Sequence, residues 1–313
     1  MRNEFKFDDG DAVIGTSSSA LWEGAVLERE MKDRYEEQSI ISTVLGGRSM
    51  WGGRWTADYN LGLSKSDESE PNRQDTNFVG EDFELGYSDI GQIVSLQASP
   101  SAFVPSNFEL DEIVIENNKT EDEETSFRAD LQYDFDFNTY PGMVKFGIKG
   151  RYRNKTADFN VDVYDGGWGD VTLEQFATAP PDYGLGAFGP GIDRSALRAF
   201  FAANQGILER DDDESTIESA AGNYDIDEDI LSAYLMSRVD FGDVRLVYGV
   251  RFEDTDVTNR GTLATFDDVN GEIILTPASI DQSYDNWFGS INLRWNVQED
   301  IIFRGAFYQS LSR

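Results

Sequence analysis

Enzyme chemistry needs nucleophiles, bases or metal ligands, and this 313-residue sequence lacks most of them. It has no Cys and no His. That removes thiolate nucleophiles, zinc ribbons, cysteine-held iron–sulfur clusters, imidazole triads and the commonest transition-metal ligand. Carboxylates, Lys and Tyr are left. Acidic runs occur at Glu121–Glu124, Asp211–Glu214 and Asp225–Asp229. Such oxygen density suits Ca²⁺, yet none of these runs has the twelve-residue loop with central Gly and closing Glu. Each is expected to be solvated surface. Gly184-Leu185-Gly186-Ala187-Phe188-Gly189 spells the dinucleotide fingerprint, but it follows Pro180-Pro181-Asp182-Tyr183 instead of a strand. Without a βαβ unit around it, a loop is expected. Trp168, Tyr183 and Phe188 have rings able to stack on a sugar or a chelate, with packing of the loop on itself as the simpler expectation. No catalytic, cofactor-binding or metal residue is assigned, no cofactor is implied, and an enzyme is not expected.

The charge balance narrows the partners. With 59 Asp+Glu against 26 Lys+Arg, the net charge is −33 and the isoelectric point is near 4.1. No basic stripe is available for nucleic acid or for anionic headgroups. The first ten residues contain no apolar h-region, so no signal peptide is read. No apolar run approaches the roughly 18 residues of a membrane helix; Ile273-Ile274-Leu275 is typical of the longest. A membrane β-barrel escapes that test, because its alternation averages to a polar score.

Alternation is the dominant pattern. Trp55, Ala57, Tyr59, Leu61 and Leu63 alternate with polar residues or Gly, as do Phe127, Ala129, Leu131, Tyr133, Phe135 and Phe137. Val144, Phe146, Ile148 and Tyr152 continue it, and it returns at 231–241, 244–252, 287–297 and 301–307. Two-faced segments of this kind are antiparallel strands with one apolar and one polar face. The polar face carries Arg128, Lys145, Lys149, Arg151, Arg238, Arg245, Arg251, Arg294 and Arg304, which suits a wet bore better than a dry core. Helical spacing shows once, at Leu197, Phe200, Phe201 and Asn204 behind an Asp193 cap.

Short connections near 46–53, 138–142, 242–243 and 298–300 alternate with long polar stretches at about 66–121, 165–223 and 259–282. Outer-membrane barrels keep short turns at one end and long loops at the other. A hairpin pairing Phe137 with Val144 sets Phe135 against Phe146, Tyr133 against Ile148, Asp136 against Lys145 and Asp130 against Arg151. A two-residue turn at Gly242-Asp243 pairs Phe241 with Val244, Val239 with Leu246, Leu235 with Val250 and Asp240 with Arg245. Two registers satisfy the hairpin at 298–300. Trp55, Phe135, Phe137, Phe241, Trp295 and Phe303 lie close to the short turns, where an interfacial aromatic girdle belongs.

The stretch from Asn223-Tyr224-Asp225 through Glu228-Asp229, Ala233-Tyr234 and Phe241 to Gly249-Val250-Arg251-Phe252-Glu253-Asp254-Thr255 resembles the strand–turn–strand pattern of TonB-dependent outer-membrane receptors. Ser290-Ile291-Asn292-Leu293-Arg294-Trp295 and Phe303-Arg304-Gly305-Ala306-Phe307-Tyr308-Gln309-Ser310-Leu311-Ser312-Arg313 resemble its closing strands, with Gly289 where Pro is usual. The resemblance implies a large barrel closed by a plug on which TonB pulls, importing iron chelates, cobalamin or oligosaccharides. The fold expected is all-β, an antiparallel transmembrane β-barrel fragment with long extracellular loops and one short loop helix. About eight wall strands are counted. Residues 1–313 are expected to be a partial barrel without a plug, a middle piece of a larger barrel. Its implied setting is the bacterial outer membrane. The partners implied are outer-membrane lipid, a small nutrient ligand, and the TonB complex through regions missing from this chain. A passive porin-like barrel and a secreted β-sandwich carbohydrate-binding adhesin are the alternatives.

Overall fold

The computed structural model describes residues 1–7, 10–16, 18–88, 94–184, 187–267 and 272–311. Its strands are β1 (Arg2–Lys6), β2 (Asp11–Gly15), β3 (Ala20–Asp33), β4 (Glu37–Trp51), β5 (Trp55–Ser88), β6 (Ser95–Ala98), β7 (Glu109–Phe137) and β8 (Tyr140–Gly166). They continue with β9 (Ala177–Thr178), β10 (Gly191–Ile192), β11 (Glu209–Asp211), β12 (Tyr224–Phe241), β13 (Val244–Asp267), β14 (Glu272–Gln298) and β15 (Ile301–Tyr308). Apart from the small β9–β10 pair, all join one antiparallel sheet.

The wall of that sheet runs β4, β5, β7, β8, β12, β13, β14, β15, each strand hydrogen-bonded to the next. Seven of them contain the alternating segments named above, and β4 completes the count of about eight. Tight turns at 52–54, 138–139, 242–243 and 299–300 all lie at one end. At the other end the strands run on. β5 holds 34 residues, roughly 110 Å at 3.3 Å per residue, several times the run needed to cross a membrane. The stretches 66–121 and 259–282, expected as long loops, are therefore largely strand: β5 extends to Ser88, β7 begins at Glu109, β13 reaches Asp267 and β14 begins at Glu272. Charged residues fill both faces next to the band, and the apolar residues that return farther out, such as Phe78, Phe83 and Leu85, are set out of period by register shifts, so no regular alternation marks them as strand. The stretch 165–223 does carry the expected loops, and two helices.

The β12–β13 hairpin has the expected register throughout, from Phe241↔Val244 to Leu235↔Val250. Gly242, at φ +63°, opens its turn. The β7–β8 hairpin is tighter than expected: Asn138 takes φ +56° and Phe137 pairs with Tyr140, not Val144. Pro141 and Gly142 belong to the strand. The slip is even, so each side chain keeps its face while each pairing partner changes. β4 likewise continues through Gly46 and Gly47 to Trp51. At the last hairpin a bulge between Asn296 and Gln298 selects the register Trp295↔Phe303.

Above the wall the sheet carries a lobe. β3 prolongs the column of β4 along β5, pairing with residues 74–87. Phe78, Phe83, Leu85, Ile113 and Ile115 pack under Phe108, Leu173, Phe176, Leu197 and Phe201. The expected helix is α1 (Arg194–Asn204), capped by the Asp193 carboxylate, which accepts from the Ser195 and Ala196 amides. A second helix, α2 (Asp212–Gly222), corrects the expectation of one. It has no apolar stripe to announce it. It occupies the column of β12 beyond Tyr224: Ser215 and Ser219 Oγ accept from the Val163 and Val161 amides, both at 2.9 Å, and Asn223 Oδ1 accepts from Phe159 N at 2.6 Å. Four helical residues rise about 6.0 Å and two strand residues about 6.6 Å, so an i, i+4 pair of serines matches alternate amides of an otherwise bare edge.

Candidate functional site: the two faces of the wall

The candidate functional element is the wall itself, whose two surfaces differ in chemistry. Cross-strand partners share a face, so register assigns every side chain. One face, here face A, collects Leu61 and Leu63, Phe146 and Ile148, Leu231 and Leu235, Tyr248 and Val250, Ile291 and Leu293, and Phe303 and Phe307. These residues are exposed: Leu235 at 53% and Phe307 at 68% of their free surface. A β-sandwich would bury this face on a second sheet, and no second sheet covers it among the described residues. An apolar surface this long is stable only against hydrocarbon or another apolar surface.

Both limits of the apolar band are drawn by residue type. At the turn end, rings line up across strands: Trp51 stacks on Trp55 at 6.3 Å, Trp55 meets Tyr133 at 4.7 Å, Tyr140 meets Phe241 at 5.4 Å, and Trp295 meets Phe303 at 6.1 Å. Trp55, Phe241, Trp295 and Phe303 are girdle residues read from the sequence. At the outer end face A changes character within one step. Leu63 is followed by Lys65, which holds Glu123 at 2.9 Å, and Leu231 is preceded by Asp229, Asp227 and Asp225. Between those limits lie five alternate positions on β5, Trp55 to Leu63, and six on β7, Phe127 to Phe137. A tilted transmembrane strand needs about 9–11 residues.

The opposite face, face B, is polar and internally paired. Arg48 bonds Asp58 at 2.5 Å, Arg151 bonds Glu124 at 2.8 Å, Arg153 Nε bonds Asp122 at 2.9 Å and Arg245 bonds Asp240 at 3.1 Å. Asp130 is the deepest of these groups, its side chain 2% exposed. Arg128 reaches it at 2.6 Å, Lys145 at 3.3 Å, and the Tyr234 hydroxyl donates to it at 2.8 Å. The expected partner Arg151 lies elsewhere, because the tighter turn sets it opposite Ser126. Sequence pattern does not point to Tyr234 directly. Its signal is Gly147, the residue between it and Asp130, since a mid-strand Gly marks close approach.

The acidic runs have structural duties. Glu121–Glu124 pair with Lys65, Lys119, Arg151 and Arg153. Asp211–Glu214 cap and charge the first turn of α2. Arg260 holds Asp225 and Asp227 at 2.8 and 2.7 Å, and with Asn154 keeps Asp227 below the usual carboxylate range. Among the described residues no three acids gather in a metal-holding group. The fingerprint at 184–189 includes residues 185–186, which lie outside the described set. Its described part follows coil and precedes β10, so no βαβ unit surrounds it. Trp168 packs against the lobe core, its indole N–H donating to Leu110 O at 3.1 Å, while Tyr183 and Phe188 meet edge to face at 5.3 Å.

Residues 45–313 match the family model described as TonB dependent receptor-like, beta-barrel. The chain belongs to the TonB-dependent receptors. These are transporters of the bacterial outer membrane, without catalytic activity. Among solved structures this receptor barrel is similar to the ferric-catecholate import receptor Fiu from E. coli K12 in its closed form, with 10% identity, a TM-score of 0.42, and coverage of 96% of this chain and 47% of that one. For the open form the values are 9%, 0.40, 95% and 50%. For the ferric citrate transporter FecA in the unliganded form they are 11%, 0.35, 93% and 36%. The receptor chain thus spans half or less of the length of these proteins. No curated protein matches it.

Proposed function

We propose that residues 1–313 form one unit, a sector of receptor wall with its external lobe, serving uptake of a small nutrient. An iron chelate, cobalamin or an oligosaccharide is the cargo class. In this reading the wall works by binding followed by gated translocation, and the TonB complex opens the gate through a plug outside these residues. Face A rests on lipid while face B lines the aqueous path. The bare apolar band of face A, bounded by rings below and charge above, carries the proposal. The excess of acids, a net charge of −33, gives the protein a negative field that draws cationic or metal-bearing cargo.

Energy dependence is the test. Cells expressing the full-length protein should take up radiolabelled ferric chelate, cobalamin or oligosaccharide only when TonB is present and the inner membrane is energised. Uptake that continues at an unchanged rate in a strain lacking TonB would make the wall part of a passive porin instead.

A further inference from the structure

The lobe holds a pocket for which transport through the wall has no use. Its side of the sheet follows from register. β7 and β8 pair without a slip from Ile113↔Tyr164 down to Phe137↔Tyr140, so Ile113 and Phe137 share face A. Ile113 is a core residue of the lobe. The cover that packs on it, drawn from 100–108 and 168–201, therefore stands on the hydrocarbon-facing side of the sheet and beyond the apolar band. It overhangs the membrane surface and not the polar face.

Within that cover is a pocket of about 510 Å³ walled by Phe103, Pro181, Tyr183, Phe188 and Pro190, within the size range of small-ligand sites. Thr178 and Asp182 also line it, adding a hydroxyl and a carboxylate. Its back is fixed by Arg29, 1% exposed on β3. The guanidinium donates to Phe188 O and to Ala102 O, both at 2.8 Å, and to Asn3 Oδ1 at 2.9 Å, and it lies 4.7 Å over the Phe108 ring. Gly189, at φ +91°, closes against it; a Cβ there would come within 2.4 Å of the guanidinium. Burial lowers the Arg29 pKa to about 10, so it stays charged at neutral pH. The Phe188 wall is thus tied to a strand, and Ala102, next to the lining residue Phe103, is tied to the same guanidinium.

We propose that this pocket binds an uncharged saccharide. The C–H face of a sugar ring stacks on Tyr183, with the Phe188 ring standing at an angle of 68° beside it, and its hydroxyls donate to Asp182 and pair with Thr178. The Asp182 carboxylate and the net charge of −33 disfavour anionic sugars, and Arg29 does not line the pocket, with N–H groups spent on Phe188 O, Ala102 O and Asn3 Oδ1. Beside a membrane surface the saccharide is either a free oligosaccharide or the head of an outer-leaflet glycolipid.

The experiment uses the full-length receptor in lipid nanodiscs. Saturation-transfer NMR with maltotriose and with trigalacturonate tests the free form, and native mass spectrometry with a neutral diglycosyl lipid tests the anchored form. Maltotriose or the glycolipid should bind, trigalacturonate should not, and Tyr183→Ala or Phe188→Ala should weaken binding at least tenfold. Asp182→Asn, an exposed change that leaves the fold intact, should weaken it severalfold. Equal binding by wild type and Tyr183→Ala, preference for the uronate, or no binding in either arm would overturn the proposal. Cargo uptake should be unchanged in Tyr183→Ala, and its loss would overturn the pocket's position off the transport path. The binding assays require no transport, so failure of TonB-dependent uptake would leave saccharide binding by the pocket intact.

Discussion

Tyr234 reaches over Gly147 to donate a 2.8 Å hydrogen bond to Asp130, so a residue of β12 is tied to one of β7 across the strand between them. The span is possible because β8 offers no side chain there. A Cβ on Gly147 would lie 2.2 Å from Asp130 Oδ1 and 2.7 Å from the Tyr234 ring. Gly147→Ala should therefore break the tie and lower stability by about 1–3 kcal/mol, read from urea unfolding of the receptor in micelles. Gly305→Ala, which meets nothing within 4 Å, should change it by no more than about 0.5 kcal/mol.

The hydroxyl alone should matter less than the space it occupies. Tyr234→Phe leaves Asp130 with Arg128 and Lys145 and should cost about 1 kcal/mol. Asp130→Asn strands two cations on one neutral amide and should cost more. Midpoints ranked the other way would contradict the network.

Where α2 replaces a strand, exchange of the covered amides reports the contact. Ser215→Ala and Ser219→Ala leave the Val163 and Val161 amides without their acceptors, and each should cost about 1 kcal/mol locally. Hydrogen exchange at residues 159–165 should rise roughly fivefold at that cost. Exchange unchanged from wild type would show that the helix does not seal the edge.

The lobe should loosen as pH rises. Burial, reinforced by Glu214, Asp111, Glu218 and Glu30, raises Glu112 from 4.5 to about 7. A carboxyl with a raised folded pKa binds more protons folded than unfolded, so its unfavourable contribution grows between pH 4.5 and 7 and then levels off. Glu112→Gln should raise resistance of 209–222 to proteolysis at about pH 8 and leave it unchanged at about pH 4. An equal gain at both pH values would assign the effect to packing, not charge.

Sequence pattern revealed the wall because lipid and water impose a two-residue period on it. Every face assignment from Trp55 to Phe307 survives, including the slipped β7–β8 hairpin, since an even slip preserves parity. Register there was hidden because Pro141 and Gly142 have the look of loop residues, while the turn needed only Asn138 in the left-handed region. The strands beyond Leu63 and Leu231 were hidden for a different reason: charged residues fill both faces next to the band, and where apolar residues return, at Phe78, Phe83 and Leu85, register shifts break their period. α2 was hidden because it docks through serines. Arg29 gave no signal, as one Arg among charged neighbours on β3 does not show that three segments will close over it.

The most direct test asks which medium each face meets. These 313 residues contain no Cys, so a cysteine introduced at one of them carries the only spin label on this part of the receptor once any cysteine elsewhere is replaced by Ser. Labels at Leu235 and Ile291 on face A, and at Met236 and Asn292 on face B, should be made in the full-length receptor in liposomes. Oxygen should relax the first pair more strongly than a water-soluble nickel chelate does, and the order should reverse at the second. Nickel access dominating at Leu235 and Ile291, or all four labels shielded from both reagents, would contradict a wall with hydrocarbon on one side and water on the other.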